Sequence, residues 1–154
     1  MPIEVDACIA GLARLAKRVE TATAEIAMEG AFLVEAAAKG DAPVLTGTLR
    51  RSIDVKGPHM LGPFAFSADV GPTVVYGRMR ELGGWIPGGA VPRPKPPGTS
   101  LYWVDSSGGQ HFASLVHQHG RPYLRPALVA SVEKYHDLAA RRWNEALSGL
   151  GGAA

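Results

Sequence analysis

The sequence predicts an α+β fold, and three observations lead there. An N-terminal stretch repeats apolar residues at helical steps, a middle stretch alternates apolar with polar residues, and a last stretch returns to helical spacing behind a proline. Helix, strands, helix is the order in which helices cover one face of an antiparallel sheet. The expected architecture is a long N-terminal helix, an antiparallel sheet with a hairpin, and a C-terminal helix packed on one face of that sheet. All of it forms a single domain over residues 1–154, with a Pro/Gly-rich loop at 83–98.

The first helix is read from Cys8, Leu12, Leu15, Val19, Ala22, Ile26, Gly30, Leu33 and Ala37, which follow steps of three and four, while Arg14, Arg18, Glu25 and Glu29 fall off that line. A helix of that extent spans about 50 Å, more than a domain of this size needs for its own core. Either part of the stripe faces a neighbouring subunit, or the helix breaks near Gly30 and both halves pack on one core. "KGDAP" ends it, with Gly40 as the residue after the cap.

Strands follow. Ser52–Val55 begins one, and "FAFSADVG" sets Phe64, Phe66, Ala68 and Val70 on one face against Ala65, Ser67 and Asp69 on the other. Leu101–Val104 and His111–Val116 flank a Ser-Ser-Gly-Gly turn and read as a hairpin. The last helix enters at Pro126, with Leu128, Val132, Tyr135, Ala139 and Ala146 as its inner stripe.

Composition narrows the function. The 16 Lys+Arg against 14 Asp+Glu leave +2, too little for bulk attraction to nucleic acid, so any basic function is local. The one cysteine, Cys8, makes no internal disulfide, which fits a reducing compartment. The acidic Glu4 and Asp6 stand where a secretory signal would be basic, and no apolar run is long enough to span a bilayer, so a cytosolic protein is expected.

Three motifs then line up: "PVLTGTLRRSI" (Pro43–Ile53), "VVYGRMRELGG" (Val74–Gly84) and "RPYLRPAL" (Arg121–Leu128). Together they resemble the pattern of the HK97 gp10-like family of tailed-phage morphogenesis proteins. There a T-G-x-L-R-x-S turn follows a long helix, a Y-[AG]-x-x-x-E-x-G segment follows strands, and R-P-[FY]-L-x-P-A-[LF] opens the C-terminal helix. "ELGG" stands where E-F-G-T is common in that family, and Ser100–Gly120 is longer than in its compact members. The resemblance implies a structural virion protein without enzymatic activity or cofactor, assembled in the host cytoplasm. It would form a neck or tail-completion ring, hexameric or dodecameric, between head-closure and tail-terminator or tail-tube proteins, with DNA passing through the channel. Tail-terminator duty, head closure, or a DNA-contacting connector module are the alternatives. On the matching positions it implies structural roles for Thr46, Gly47, Leu49, Arg50, Ser52, Tyr76, Glu81, Gly83, Arg121, Pro122, Tyr123, Leu124 and Pro126.

The same residues can be read apart from the resemblance, as a structural corner and an internally packed elbow or as contacts to a partner. Thr46 closes a turn through its hydroxyl, Gly47 permits positive φ, and Leu49 and Ile53 point into the core, leaving Arg50 and Arg51 solvated, paired with a carboxylate, or aimed at a phosphate. Glu81 is the natural partner for Arg50. Pro122 and Pro126 fix two φ values around Tyr123 and Leu124, making a stiff elbow with both apolar side chains in the core. Within "GGWIPGGAVPRPKPPG", five prolines and five glycines favour an extended arm. Trp85, Ile86, Arg93 and Lys95 are its candidate inter-subunit contacts, a tolerated surface insertion being the alternative.

Catalytic patterns are thin. "HQH" sets His117 and His119 on one side of a strand near His111, but no cysteine or carboxylate adjoins them except Asp105 across a turn, so no metal is assigned. Asp105, His117 and Ser114 form a triad only on paper, without a nucleophile elbow. Phosphate-loop, dinucleotide and C-x-x-C motifs do not occur.

Overall fold

A computed structural model describes residues 5–44, 46–87 and 101–148. The elements run α1 (Val5–Asp41), α2 (Thr48–Ser52), β1 (Ile53–Gly62), β2 (Ala65–Pro72), α3 (Gly77–Leu82), β3 (Gly84–Pro87), β4 (Leu101–Val104), β5 (Gln110–Ala113), β6 (Leu115–Gln118) and α4 (Leu124–Ser148). The class is α+β, as the apolar spacing predicts. The chain divides into two compact units, one formed by Met1–Thr73 with Tyr123–Ala154 and the other by Val74–Pro122.

The first unit is built on α1. Its 37 residues form one unbroken helix, so the alternative of a break near Gly30 is not realised. Alanine-rich sequence with apolar residues every third or fourth position gives both propensity and a stripe to bury. Gly40 lies inside the helix rather than after its cap, because the Ala42 amide still bonds to the Ala38 carbonyl at 2.9 Å and Pro43 is what stops the next turn. Ala22, Ile26, Gly30, Ala31 and Ala38 are buried, whereas Cys8 and Leu12 of the expected stripe are exposed.

Helix α4 packs along α1, and α1 also lies against the β1–β2 ribbon. The inner stripe expected for α4 holds at Ala139 and Ala146, which are half-buried, and is corrected at its start. Ala127 and Ser131 are buried, while Leu128, Val132 and Tyr135 are exposed. Small side chains at these two positions suit the packing of α4 on α1. Tyr135, one turn after Ser131, lies over Gly30, where an added Cβ would stand 2.5 Å from the ring's Cδ2. Alanine gains about 1 kcal/mol of helix propensity over glycine, but here the ring must move. Gly30→Ala is expected to lower stability by about 1–2 kcal/mol despite that gain, read from the denaturant midpoint. Adding Tyr135→Ala should reverse the sign of the Gly30→Ala effect, and an additive double mutant would rule out this contact.

Strands β1 and β2 pair antiparallel from Ile53↔Pro72 to Gly62↔Ala65, with register shifts between Lys56 and His59 and between Met60 and Gly62. Gly57, at φ +135°, occupies the first irregularity, with Ser67 carbonyl oxygen 3.1 Å from where a Cβ would be. Phe66, Ala68 and Val70 are half-buried on the expected face. Phe64 is not in the strand: it holds the tight turn at φ +58° and is exposed.

The second unit holds α3 and two small antiparallel pairs, β3 with β6 and β4 with β5. The β4–β5 hairpin is the one expected around Ser-Ser-Gly-Gly. The single strand expected over His111–Val116 is two strands, interrupted at Ser114, because β5 pairs back on β4 whereas β6 pairs with β3. That pairing corrects the loop at 83–98 as well. Its opening residues, Gly84–Pro87, are a strand whose backbone is hydrogen-bonded to Leu115–Gln118. The rest of the arm, including Arg93 and Lys95, lies outside the described residues.

Candidate interaction surface

The Thr46–Ile53 stretch is a single helical turn between α1 and the ribbon. Gly47 precedes it in the left-handed region at φ 73°, ψ −2°, which an L side chain adopts at a cost. Thr46 and Thr48 hydroxyls meet at 3.0 Å, and the Ser52 hydroxyl donates to the Leu49 carbonyl at 2.7 Å. One turn of helix puts Leu49 and Ile53 on the same face, and both are buried, at 5% and 1% exposure. The Thr73 amide donates to the Ser52 carbonyl at 2.8 Å, tying the end of β2 to this turn. Arg50 and Arg51 are consecutive and exposed. The pairing expected of Arg50 with Glu81 joins residues of different units, Arg50 in the first and Glu81 in the second.

The second motif forms α3. Tyr76 stands before it and is exposed, and Gly83 ends it at φ 73° with its amide bonded to the Met79 carbonyl at 2.9 Å. Gly83 faces Gly120 across the start of β3: a Cβ on Gly83 would lie 2.6 Å from the Gly120 nitrogen, and one on Gly120 would lie 2.8 Å from the Leu82 carbonyl carbon. The Arg121 amide donates to the Arg80 carbonyl at 2.7 Å beside this crossing. Gly120 is a structurally constrained position that the motifs do not include; its signal was only a lone glycine before the third motif.

In the third motif the elbow exists but its anchor differs. Tyr123 is fully buried, with Ala127 one turn on, whereas Leu124 is only half-buried and Pro122 is exposed. Helix α4 begins at Leu124, so Pro126 is its third residue rather than its first. A proline is tolerated there because first-turn amides have no intrahelical acceptor.

Trp85 sits opposite His117 in the β3–β6 ladder, their rings 4.7 Å apart and edge-on, and the His119 ring is 5.0 Å from that of His117. The two histidines expected on one side of a strand are thus together, capped by an indole that remains 61% exposed; Ile86 is half-buried. His111 belongs elsewhere, bonded through Nε2 to Asp105 Oδ2 at 2.8 Å. Among the described residues no three His, Cys, Asp or Glu side chains converge as a metal site would require.

Asp105 organises the β4–β5 turn. Its Oδ1 accepts from the Ser107 hydroxyl, the Ser107 amide and the Gly109 amide at 2.6, 2.9 and 2.8 Å. These donors, the Ser107 hydroxyl first and His111 next, hold the carboxyl well below the ordinary carboxylate range. A depressed carboxylate stabilises the turn above its unfolded pKa of about 4 and stops doing so as pH falls through the folded value. Hydrogen-exchange protection of the Ser107 and Gly109 amides should therefore persist at neutral pH and weaken progressively below about pH 4. Asp105→Asn should flatten that dependence, and an unchanged acid profile would remove the carboxylate from the account.

On the first unit a groove of about 590 Å³ runs between α1 and the end of α4, with Ala22 and Ala146 among its lining. Arg14, Lys17 and Arg18 line it at positions i, i+3 and i+4 of one helix face. Arg18 donates to the Glu145 carbonyl at 3.4 Å. Arg142 is engaged on both sides, with Glu29 through two nitrogens and with Glu145 at 3.2 Å, which raises its pKa and clamps α4 to α1. The sequence carried the spacing of those three cations, but nothing in it placed the α4 end beside them.

No family model matches the chain, and neither a curated protein nor a solved structure is significantly similar to it. Among the described residues no helix is long and apolar enough to cross a membrane.

Proposed function

We propose that the chain is a structural protein of a tailed-phage virion, a ring-forming neck or tail-completion component joining head to tail. The ordered resemblance of its three motifs suggests the reading. The observation that carries it is that each motif falls at a junction of the fold: the first between α1 and β1, the second at α3 between the ribbon and β3, and the third at the start of α4. A protein working through shape and self-association depends on such joints. Its partners in this reading are further copies of itself and the neighbouring head-closure and tail-terminator or tail-tube proteins.

Particles assembled without the protein should accumulate as separate heads and tails, and cross-linking of complete particles should trap it against a head-closure or tail-terminator neighbour. Normal joining in its absence would end the proposal. The Arg14, Lys17 and Arg18 groove favours a second reading, a DNA-contacting connector module. DNA affinity that falls steeply with salt and disappears in Arg14→Ala/Arg18→Ala, with joining unaffected, would establish that reading in place of the first.

A further inference from the structure

We infer that the first four turns of α1 are a pairing surface for the same segment of a second copy, with the two helices antiparallel. The inference stands apart from the virion reading, since it concerns only what this helix binds.

The apolar line through Val5, Ile9, Leu12, Ala16, Val19, Thr23, Ile26 and Gly30 alternates steps of four and three, the spacing of a helix that packs against another helix. Along that line burial changes. Ile26 and Gly30 are buried within the first unit, Ala16, Val19 and Thr23 are half-buried, and Val5, Ile9 and Leu12 are 63, 58 and 61% exposed. The same stripe that holds α1 in its own unit thus continues past the point where the described residues cover it. Isolated exposed leucines are ordinary; three at successive positions of one stripe mark a contact surface.

Charge selects the partner and its direction. Asp6 and Lys17 are eleven positions apart, about three helical turns, so they lie on the same flank of the stripe. In an antiparallel pair like flanks face each other. A crossing centred near Leu12 then brings each Asp6 level with the other copy's Lys17, giving two opposite-charge contacts, while Ile9 of each copy packs near Leu12 of the other. A parallel pair would instead face this flank with the opposite flank of the other copy, which carries Cys8 and Leu15 there, so neither opposite-charge contact would form. The self-complementary surface is that of a two-fold interface.

Cys8 supplies a direct probe of direction, since it is exposed and lies on the opposite flank with Leu15. Positions 8 and 15 of one helix are about 10 Å apart along its axis and cannot be bridged within a copy. Oxidising the Leu15→Cys variant of the full chain is therefore expected to give a covalent dimer through Cys8 and the cysteine introduced at 15, which peptide mapping would identify. Wild-type protein should sediment as a dimer, and Leu12→Glu should sediment as a monomer with an unchanged melting temperature at low concentration. Asp6→Lys and Lys17→Asp should each weaken association about tenfold, and the double variant should recover it. A wild-type monomer at all concentrations, an oligomer whose mass is unaffected by Leu12→Glu, or a Cys8-to-Cys8 disulfide as the main product would overturn the inference. A dimer that behaves as described but never joins heads to tails would refute the virion reading and leave this one intact.

Discussion

Leu49→Asp is expected to abolish cooperative folding of the first unit. Leu49 is 5% exposed, one helical turn before Ile53, on the face that closes the corner between α1 and β1. A carboxylate placed there either takes up a proton or forces the corner open, and the lost leucine contacts add to the cost. The sum is about 3–5 kcal/mol, against a typical total of about 5–15 kcal/mol. Thermal melting followed by circular dichroism should show a non-cooperative or absent transition. Leu124→Asp is the informative control. It is half-buried rather than enclosed, so it should cost about 1–2 kcal/mol and leave a cooperative melt. A normal melt for Leu49→Asp would mean that the corner does not carry the core.

The second large effect is expected at Gly120. Here the conflict is backbone against backbone: an alanine Cβ would stand 2.8 Å from the Leu82 carbonyl carbon, 2.9 Å from the Glu81 oxygen and 2.9 Å from the Gly83 nitrogen. No side chain can swing away to relieve it. Gly120→Ala should therefore part the end of β6 from the end of α3, break the Arg121 amide bond to the Arg80 carbonyl, and cost about 2–4 kcal/mol within the second unit. Hydrogen exchange should show lost protection at Arg121 and along β3 and β6. Retained protection would mean that the two segments slide apart without breaking their pairing.

The contrast between these sites shows what the sequence can reveal. Gly47, Leu49 and Ile53 were readable because a positive-φ glycine and an i, i+4 apolar pair are local signals, decided within eight residues. The helical spacing of α1 was readable for the same reason, although spacing alone leaves open the break near Gly30 that the unbroken helix does not have. The inner face of α4 was readable only in part: Tyr135 does lie over Gly30 of α1, over a hundred residues away, and Ala139 and Ala146 are half-buried, but apolar size pointed to Leu128 and Val132 where Ala127 and Ser131 are the buried residues. The split of His111–Val116 was hidden likewise: Ser114 carries no breaking signal, and the interruption comes from two different partner strands. Of Tyr123 and Leu124, both expected in the core, only Tyr123 is fully buried, since both neighbours are apolar and only the direction in which α4 leaves decides which turns inward.

The Arg121–Arg80 hydrogen bond has a meaning for how the chain folds. The first unit is discontinuous: α1 and the ribbon precede the Val74–Pro122 segment and α4 follows it, so α4 docks on α1 only after that segment has been spanned. As a flexible loop of about fifty residues it would charge the docking step roughly 3–4 kcal/mol of closure entropy. A bond between Arg80 and Arg121 joins positions near the two ends of that segment, and with it formed the effective loop shrinks to a few residues on each side. Early folding of Val74–Pro122 would thus speed docking of a helix that lies outside it. Substitutions at Gly83 or Gly120, although both lie outside α1 and α4 in the chain, should then slow refolding of the α1–α4 pair while leaving its unfolding rate nearly unchanged.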